Sequence, residues 1–273
     1  MIYQTYQPHT DLSSLVKFYW TLEVPFDPKN EKQKLIPDGC IEMTFNFRDP
    51  IKKYISENEY VIHPSSMVMG QRTRSFFIEP VGNVESFAVC FYPFGFANFV
   101  HQPLEHLVDK EVTLESLFGA AQAEKLERAI FAAQNTDERI RIIESFLLER
   151  LTQNGMVDKL ITQTVDSLTE TNGRDSIRSI VQNNPSQRRQ LERKFKKHIG
   201  ISPKQLGRII RLQTALKLIL SEDQSLTRIA YESDYFDQSH FIKDFKEFIG
   251  STPKQLLRQK GNLQLSSLFY GES

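Results

Sequence analysis

Apolar positions alternate with polar ones, or run on without a break, in the first hundred residues; after Pro93 they recur about every fourth residue. Residues 40–47 (CIEMTFNF), 59–63, 75–79 and 86–92 (SFAVCFY) carry the first pattern, that of strands covered on one or both faces. Turn-forming residues separate them at Pro37-Asp38-Gly39, Pro64, Gly70 and Pro80-Val81-Gly82-Asn83. Short strands between such turns predict a sandwich or small barrel. The second pattern predicts short helices over 94–101 and 114–118 and longer ones over 120–133 and 136–152. In the last of these, Ile140, Ile143, Phe146, Leu147 and Leu151 share one face, with Arg and Glu elsewhere. That stripe can pack on its own domain or on a second copy, which would make a homodimer.

Gln153-Asn154-Gly155 reads as a linker, a polar trio ending in a residue that can terminate a helix. Everything beyond it reads as helix, over 157–168, 176–181, 188–198, 203–220, 226–232, 237–248 and 253–259. Ser202-Pro203 and Thr252-Pro253 each place a capping residue before a proline at the first helical position. The predicted class is α+β. A β-rich domain with trailing helices spans 1–154, an all-α domain 155–262 and a tail 263–273. A chain of 273 residues is long enough for each domain to bury its own core.

The all-α part repeats itself. Residues 195–206 read FKKHIGISPKQL and residues 245–256 read FKEFIGSTPKQL, with eight of twelve positions identical at an offset of 50. Upstream the likeness continues weakly, Ile177, Ile180 and Val181 corresponding to Leu226, Ile229 and Ala230. Each unit is a short helix, a tight turn and a longer helix, which is a helix-turn-helix, and there are two. A helical repeat array for protein binding is the plainer reading. Two copies are fewer than the roughly three that such stacks need. Each longer helix also carries a polar face that packing does not require.

Charge sharpens this. The net charge of zero divides into 15 Lys+Arg against 21 Asp+Glu over residues 1–155, and 19 against 13 over 156–273. From Arg188 to Arg211 there are nine basic residues and one acid, Glu192, the footprint of a polyanion binder. On the first longer helix Arg188, Arg189, Glu192, Arg193 and Lys196 are exposed-face residues; on the second they are Gln238, Ser239, Lys243 and Lys246. Leu191 and Phe195, like Phe241 and Phe245, are expected to point inward. Arg can bond a guanine edge bidentately, Glu can accept from a cytosine amine, and Gln suits adenine. Arg188, Lys196, Lys197, Arg208, Arg211 and Lys246 suit phosphate neutralisation.

The stretches RRQLERKFKKHIGISPKQLGRIIRLQTAL (188–216) and LTRIAYESDYFDQSHFIKDFKEFIGSTPKQL (226–256) resemble the two recognition units of the AraC/XylS regulators. The resemblance implies one recognition helix in each of two successive major-groove segments of double-stranded DNA. It places base-reading positions on Arg189, Glu192 and Arg193, and on Gln238, Ser239, His240 and Lys243. Two departures stand out. The turn position that the family fills with glycine holds Pro185 in the first unit and Asp234 in the second. Asp tolerates a left-handed backbone, whereas Pro cannot adopt positive φ, so the first turn is expected to differ. Gln187 also replaces the usual Ser cap, with Ser186 one residue early. PDGCIEMTFNF and YPFGFANF resemble segments of the sensor domains of one subgroup of that family, which implies a cupin-like β fold.

Other function classes find less support. Cys40 and Cys90 lie in apolar strand-like runs, where an inert buried thiol is usual, and His63, His101 and His106 lack ligand spacing. Neither an enzyme nor a metal or other cofactor is expected. No apolar run reaches the roughly 18 residues of a membrane span. The N-terminus lacks a signal-peptide pattern, so a cytoplasmic location is expected. The expected function is transcription regulation through contact with RNA polymerase. A small-molecule effector would act on the N-terminal domain, where Trp20, Phe45, Phe47, Phe76, Phe91 and Tyr92 either line a pocket or pack the core.

Overall fold

The computed structural model describes residues 1–28, 32–151, 157–174, 185–221 and 225–258. The expected linker at 153–155, the helix over 176–181, the boundary at 154 and the tail from 263 lie outside the described residues.

Among the described residues, ten strands form two antiparallel sheets. The larger contains β1 (Ile2–Tyr6), β2 (Val16–Val24), β4 (Ile41–Asn46), β7 (Ser66–Met69), β9 (Val84–Phe91) and β10 (Glu111–Val112), in the order β1-β2-β9-β4-β7-β10. The smaller has β3 (Gln33–Leu35), β5 (Ile51–Tyr54), β6 (Tyr60–Ile62) and β8 (Phe76–Pro80), in the order β3-β8-β5-β6. The four strands predicted from alternation are β4, β6, β8 and β9, each within two residues of its predicted limits. Period two explains the layering, because alternate side chains leave opposite faces of a strand. One face of the larger sheet sends Tyr19, Met43, Phe45, Phe87, Val89 and Phe91 against the helices. The other sends Trp20, Leu22, Ala88 and Cys90 toward Ile78 of the smaller sheet.

Phe45 and Phe91 are therefore core residues. Trp20 donates from Nε1 to Glu42 (3.2 Å), and buried Arg72 bonds both Glu42 (3.2 Å) and Asp38 (2.6 Å). Burial holds the Glu42 carboxyl above the ordinary carboxylate range, while the Arg72 guanidinium opposes that shift. Cys40 and Cys90 are both buried free thiols.

After the sheets, 3₁₀ turns at Phe96–Asn98 and Leu104–Leu107 lead into α1 (Leu114–Phe118), α2 (Ala120–Ala132) and α3 (Thr136–Leu151). The expected helix over 94–101 is thus reduced to one 3₁₀ turn. In the α3 stripe Ile143 and Leu147 are buried, and Ile140, Phe146 and Leu151 pack on the same core. The ring of Phe146 meets Phe118 edge-on at 5.1 Å. Ile140, Phe146 and Leu151 at its margins stay partly exposed.

The helical part holds α4 (Lys159–Glu170), α5 (Pro185–Ile199), α6 (Pro203–Ser221), α7 (Leu226–Glu232), α8 (Gln238–Ile249) and α9 (Pro253–Arg258). The β-rich and helical parts pack against each other. A single apolar cluster runs from Tyr19 and Phe45 through Ile143 to Phe195, Leu212, Phe245 and Leu256. The two parts meet where α5 packs on the turn at Leu104–Leu107 and α6 on the loop before β4. A Cβ at Gly39 would stand 3.2 Å from the Leu206 side chain. Gln213 on α6 donates to the Pro37 carbonyl.

Candidate nucleic-acid interface

Both longer helices of the repeat are held by an apolar triad at the same spacing: Leu191, Phe195 and Ile199 in α5, and Phe241, Phe245 and Ile249 in α8. Residues three to four apart share a helix face, so burying these turns the intervening polar residues outward. On α5, Arg188, Arg189, Arg193, Lys196 and Lys197 are exposed. Glu192 is partly covered and accepts from Arg188 Nε at 3.1 Å. On α8, Gln238, Ser239, Lys243 and Lys246 are exposed, and His240 is partly covered with its ring edge-on to Tyr235 at 5.4 Å.

The start of α8 is well determined by its sequence. Asp237 caps it, accepting from the His240 amide at 2.7 Å, and Asp234 in the preceding turn adopts the left-handed conformation at φ 58°. Ser225 caps α7 in the same way, accepting from Arg228 at 3.3 Å. In the first unit, α5 begins three residues earlier than its periodicity predicts. Pro185 is its first residue, where a missing N–H removes no helical bond, and Ser186 and Gln187 lie inside the helix rather than capping it.

Two residues expected among the phosphate contacts have partners inside the protein. Arg208 of α6 bonds Asp244 at 2.8 and 3.2 Å and Glu247 at 2.6 and 2.9 Å, joining α6 to α8. The Asp244 carboxyl is almost fully buried, at 2% exposure. The bond from Arg208 holds the Glu247 carboxyl below the ordinary range, and the same bond raises the guanidinium still further. Arg211 donates from Nη2 to the Gly173 carbonyl at 2.8 Å, with its guanidinium 5.4 Å from the Tyr235 ring centre.

Between the two units lies a cleft of 690 Å³ that brings together Arg188 of the first with His240 and Lys243 of the second, over Arg208 and Arg211. Arg189, Arg193, Lys196, Lys197, Gln238, Ser239 and Lys246 stand outside its lining. The sequence reading missed two of its cations, Lys204 and Arg174. Lys204 was visible beside a proline at a helix start. Arg174 follows Asn172 and Gly173, both at positive φ (50° and 76°), a turn that an Asn-Gly pair signals.

The N-terminal part also touches α8. Its last carbonyls, which a helix leaves without partners of its own, accept bonds from two residues of the smaller sheet and its border. Ser75 donates from its amide to Phe248 (2.7 Å) and from its hydroxyl to Ile249 (2.8 Å), and Lys34 donates from Nζ to Ile249 (3.0 Å). Burial holds the Lys34 ammonium below its ordinary pKa.

Comparison with known proteins agrees with this layout. Residues 186–259 match a helix-turn-helix domain family, and residues 4–113 match a domain of unknown function, DUF6597. The transcriptional activator RhaS of Pectobacterium carotovorum is 28% identical over 145 residues, covering 48% of this chain and 51% of its own. An uncharacterized HTH-type transcriptional regulator of Haemophilus influenzae is 39% identical over 61 residues, 22% of this chain and 20% of that one. The chain spans about half the length of the two Pectobacterium RhaS relatives it matches. Among solved structures, ToxT of Vibrio cholerae aligns over 94% of this chain and 98% of its own, with a TM-score of 0.47 and 12% identity. Among the described residues no helix is long and apolar enough to cross a membrane.

Proposed function

We propose that the protein is a sequence-specific DNA-binding transcription regulator of the AraC type, working in the cytoplasm, on the premise that residues 186–259 match a helix-turn-helix domain. The observation that carries this is the pair of recognition helices α5 and α8, each anchored by a buried triad and each turning a polar face outward, strongly basic on α5, beside a shared basic cleft. In this reading α5 and α8 enter successive major-groove segments. Arg189, Glu192 and Arg193 meet base edges from α5, and Gln238, Ser239, His240 and Lys243 from α8. Arg188, Lys196, Lys197 and Lys246 neutralise phosphates. Arg208 and Arg211 contribute to the field of the cleft and hold its walls together.

The bound protein recruits or repositions RNA polymerase. A small-molecule effector acts through the N-terminal part, and the Lys34 and Ser75 bonds to the end of α8 offer it a direct mechanical path.

The test is a fluorescence-anisotropy titration of the full chain into labelled duplex DNA at several salt concentrations. Log K is expected to fall linearly with log salt, by about 0.9 per phosphate neutralised. Arg193→Ala and Lys243→Ala should each weaken binding further. Flat or absent binding at low salt would overturn the proposal and leave the repeat as a packing device.

A further inference from the structure

An apolar feature stands beside the second recognition helix without any role in its folding. Phe236 is 93% exposed and Tyr231 82% exposed. Phe236 directly precedes the Asp237 cap, at the position whose apolar side chain commonly folds back onto the fourth residue of the helix, here Phe241. That contact is already filled. Tyr235 covers Phe241 at 5.1 Å, and Phe245 lies on its other side at 5.3 Å. Phe236 therefore points away from the core, and Tyr231 on α7 stands beside the same opening.

The two rings wall a shallow cleft of 650 Å³ together with Arg174, Arg211 and His240, and its two acids, Asp234 and Glu232, are paired with Arg174 and Arg228. With two arginines matched by two carboxylates, these aromatic walls suit the apolar parts of a nucleotide, a base methyl and a sugar. The cleft is also continuous with the first turn of α8, the end of a recognition helix that meets base edges. Among base-edge features, the C5 methyl of thymine is the one that an aliphatic or phenyl group recognises.

We propose that Phe236 is a specificity residue whose ring covers the methyl group of a thymine at the edge of the α8 half-site, with Tyr231 against the neighbouring sugar. This rests on the DNA-binding reading above and adds to it an apolar contact that the polar recognition face does not supply.

The experiment uses the full chain and duplexes that it selects from a random pool, with each thymine replaced in turn by uracil, which removes the methyl and nothing else. One thymine near the α8 half-site should weaken wild-type binding about fourfold when replaced, the effect of one buried methyl-sized group. Phe236→Ala should bind the thymine duplex about tenfold more weakly, near the lower end for loss of a buried phenyl group, and should be indifferent to the uracil exchange. Phe236→Leu should recover part of both effects. Since Phe236 is exposed, the unfolding midpoint of these variants should stay at the wild-type value.

If no thymine shows this dependence, or if Phe236→Ala loses as much on the uracil duplex as on the thymine duplex, the assignment is overturned and the rings belong to another partner. Selection of a duplex with a normal salt slope alongside that result leaves DNA binding standing. Failure to select any duplex overturns both.

Discussion

Aligned at their offset of 50, the two recognition helices are alike where they face inward and different where they face outward. Leu191, Phe195 and Ile199 match Phe241, Phe245 and Ile249, all buried, and each helix ends at a glycine of positive φ, Gly200 (96°) and Gly250 (76°). On the outside, Arg188, Arg189 and Arg193 stand where α8 has Gln238, Ser239 and Lys243. The sharpest contrast is at one position of opposite charge. Lys194 reaches from α5 to the Asp158 cap of α4, whereas its counterpart Asp244 reaches from α8 to Arg208 of α6. The first pair is partly solvated and the second carboxylate is buried. The first unit is thus a loosely fastened, strongly cationic helix and the second a firmly clamped, chemically varied one. Under the DNA-binding proposal, α5 would supply more of the phosphate grip and α8 the more varied base-edge chemistry.

The largest expected effect tests the clamp. Arg208→Ala would leave Asp244 buried without its partner, which typically costs about 3–5 kcal/mol. Lys194→Ala removes a surface pair and should cost less than about 1 kcal/mol. Urea unfolding of both variants decides this, and equal losses would abolish the distinction.

The division of labour is the next to be tested, by DNA binding. Lys196→Ala and Lys197→Ala on α5 should each reduce the slope of log K against log salt by about one and leave the preferred sequence unchanged. Gln238→Ala on α8 should keep the slope and relax selection at one base pair by about 1–3 kcal/mol. Should Gln238→Ala weaken all sequences alike, α8 would be a second phosphate clamp.

A smaller effect separates the helix ends. Both glycines hold a left-handed conformation that costs an alanine about 1–2 kcal/mol. At Gly250 a Cβ would meet nothing within 4 Å, but at Gly200 it would stand 2.9 Å from the Leu104 carbonyl and from Val108. Gly200→Ala should therefore be the more damaging by about 1 kcal/mol or more. Thermal unfolding that ranked them in the opposite order would mean that α5 does not rest on the Leu104–Leu107 turn.

This same contact marks where the sequence stops being informative. The buried triads, the α7–α8 turn with its left-handed Asp234 and the exposed faces of α5 and α8 were legible, because helical spacing and capping chemistry are local. Strands β4 and β9 were legible because both faces are covered and their apolar runs are long. Strand β1 and the three residues of β3 carry no such signature; their partners, Trp20 opposite Thr5 and Phe77 opposite Lys34, specify them from a distance. The Arg208 clamp was hidden for a related reason. Nothing local to an arginine on a basic helix announces Asp244 and Glu247, about 40 residues away, which the fold brings to its two edges. The shared core could not be read either, since a buried triad shows that a face is covered and not what covers it.

The smallest effect concerns pH and bears on how α5 is fastened. The bond from Lys194, aided by the Leu160 amide, holds the Asp158 carboxyl below its ordinary pKa. A carboxylate depressed in the folded state adds stability above its unfolded pKa of about 3.9, and that contribution disappears as pH falls through the folded value. Lys194→Met removes the larger cause and leaves the amide bond, so Asp158 should titrate higher than in the wild type yet still below a free aspartate, as followed by carboxyl carbon NMR. Salt should move the wild type in the same direction, because a partly solvated pair is screened. The stability lost in Arg208→Ala should change little in the same salt, since a buried pair is screened far less. An Asp158 titration unaffected by both the substitution and salt would mean that the amide bond alone accounts for the shift. In that case α5 would be held by its apolar triad only, and the contrast with the clamped α8 would be greater than the charge pairs imply.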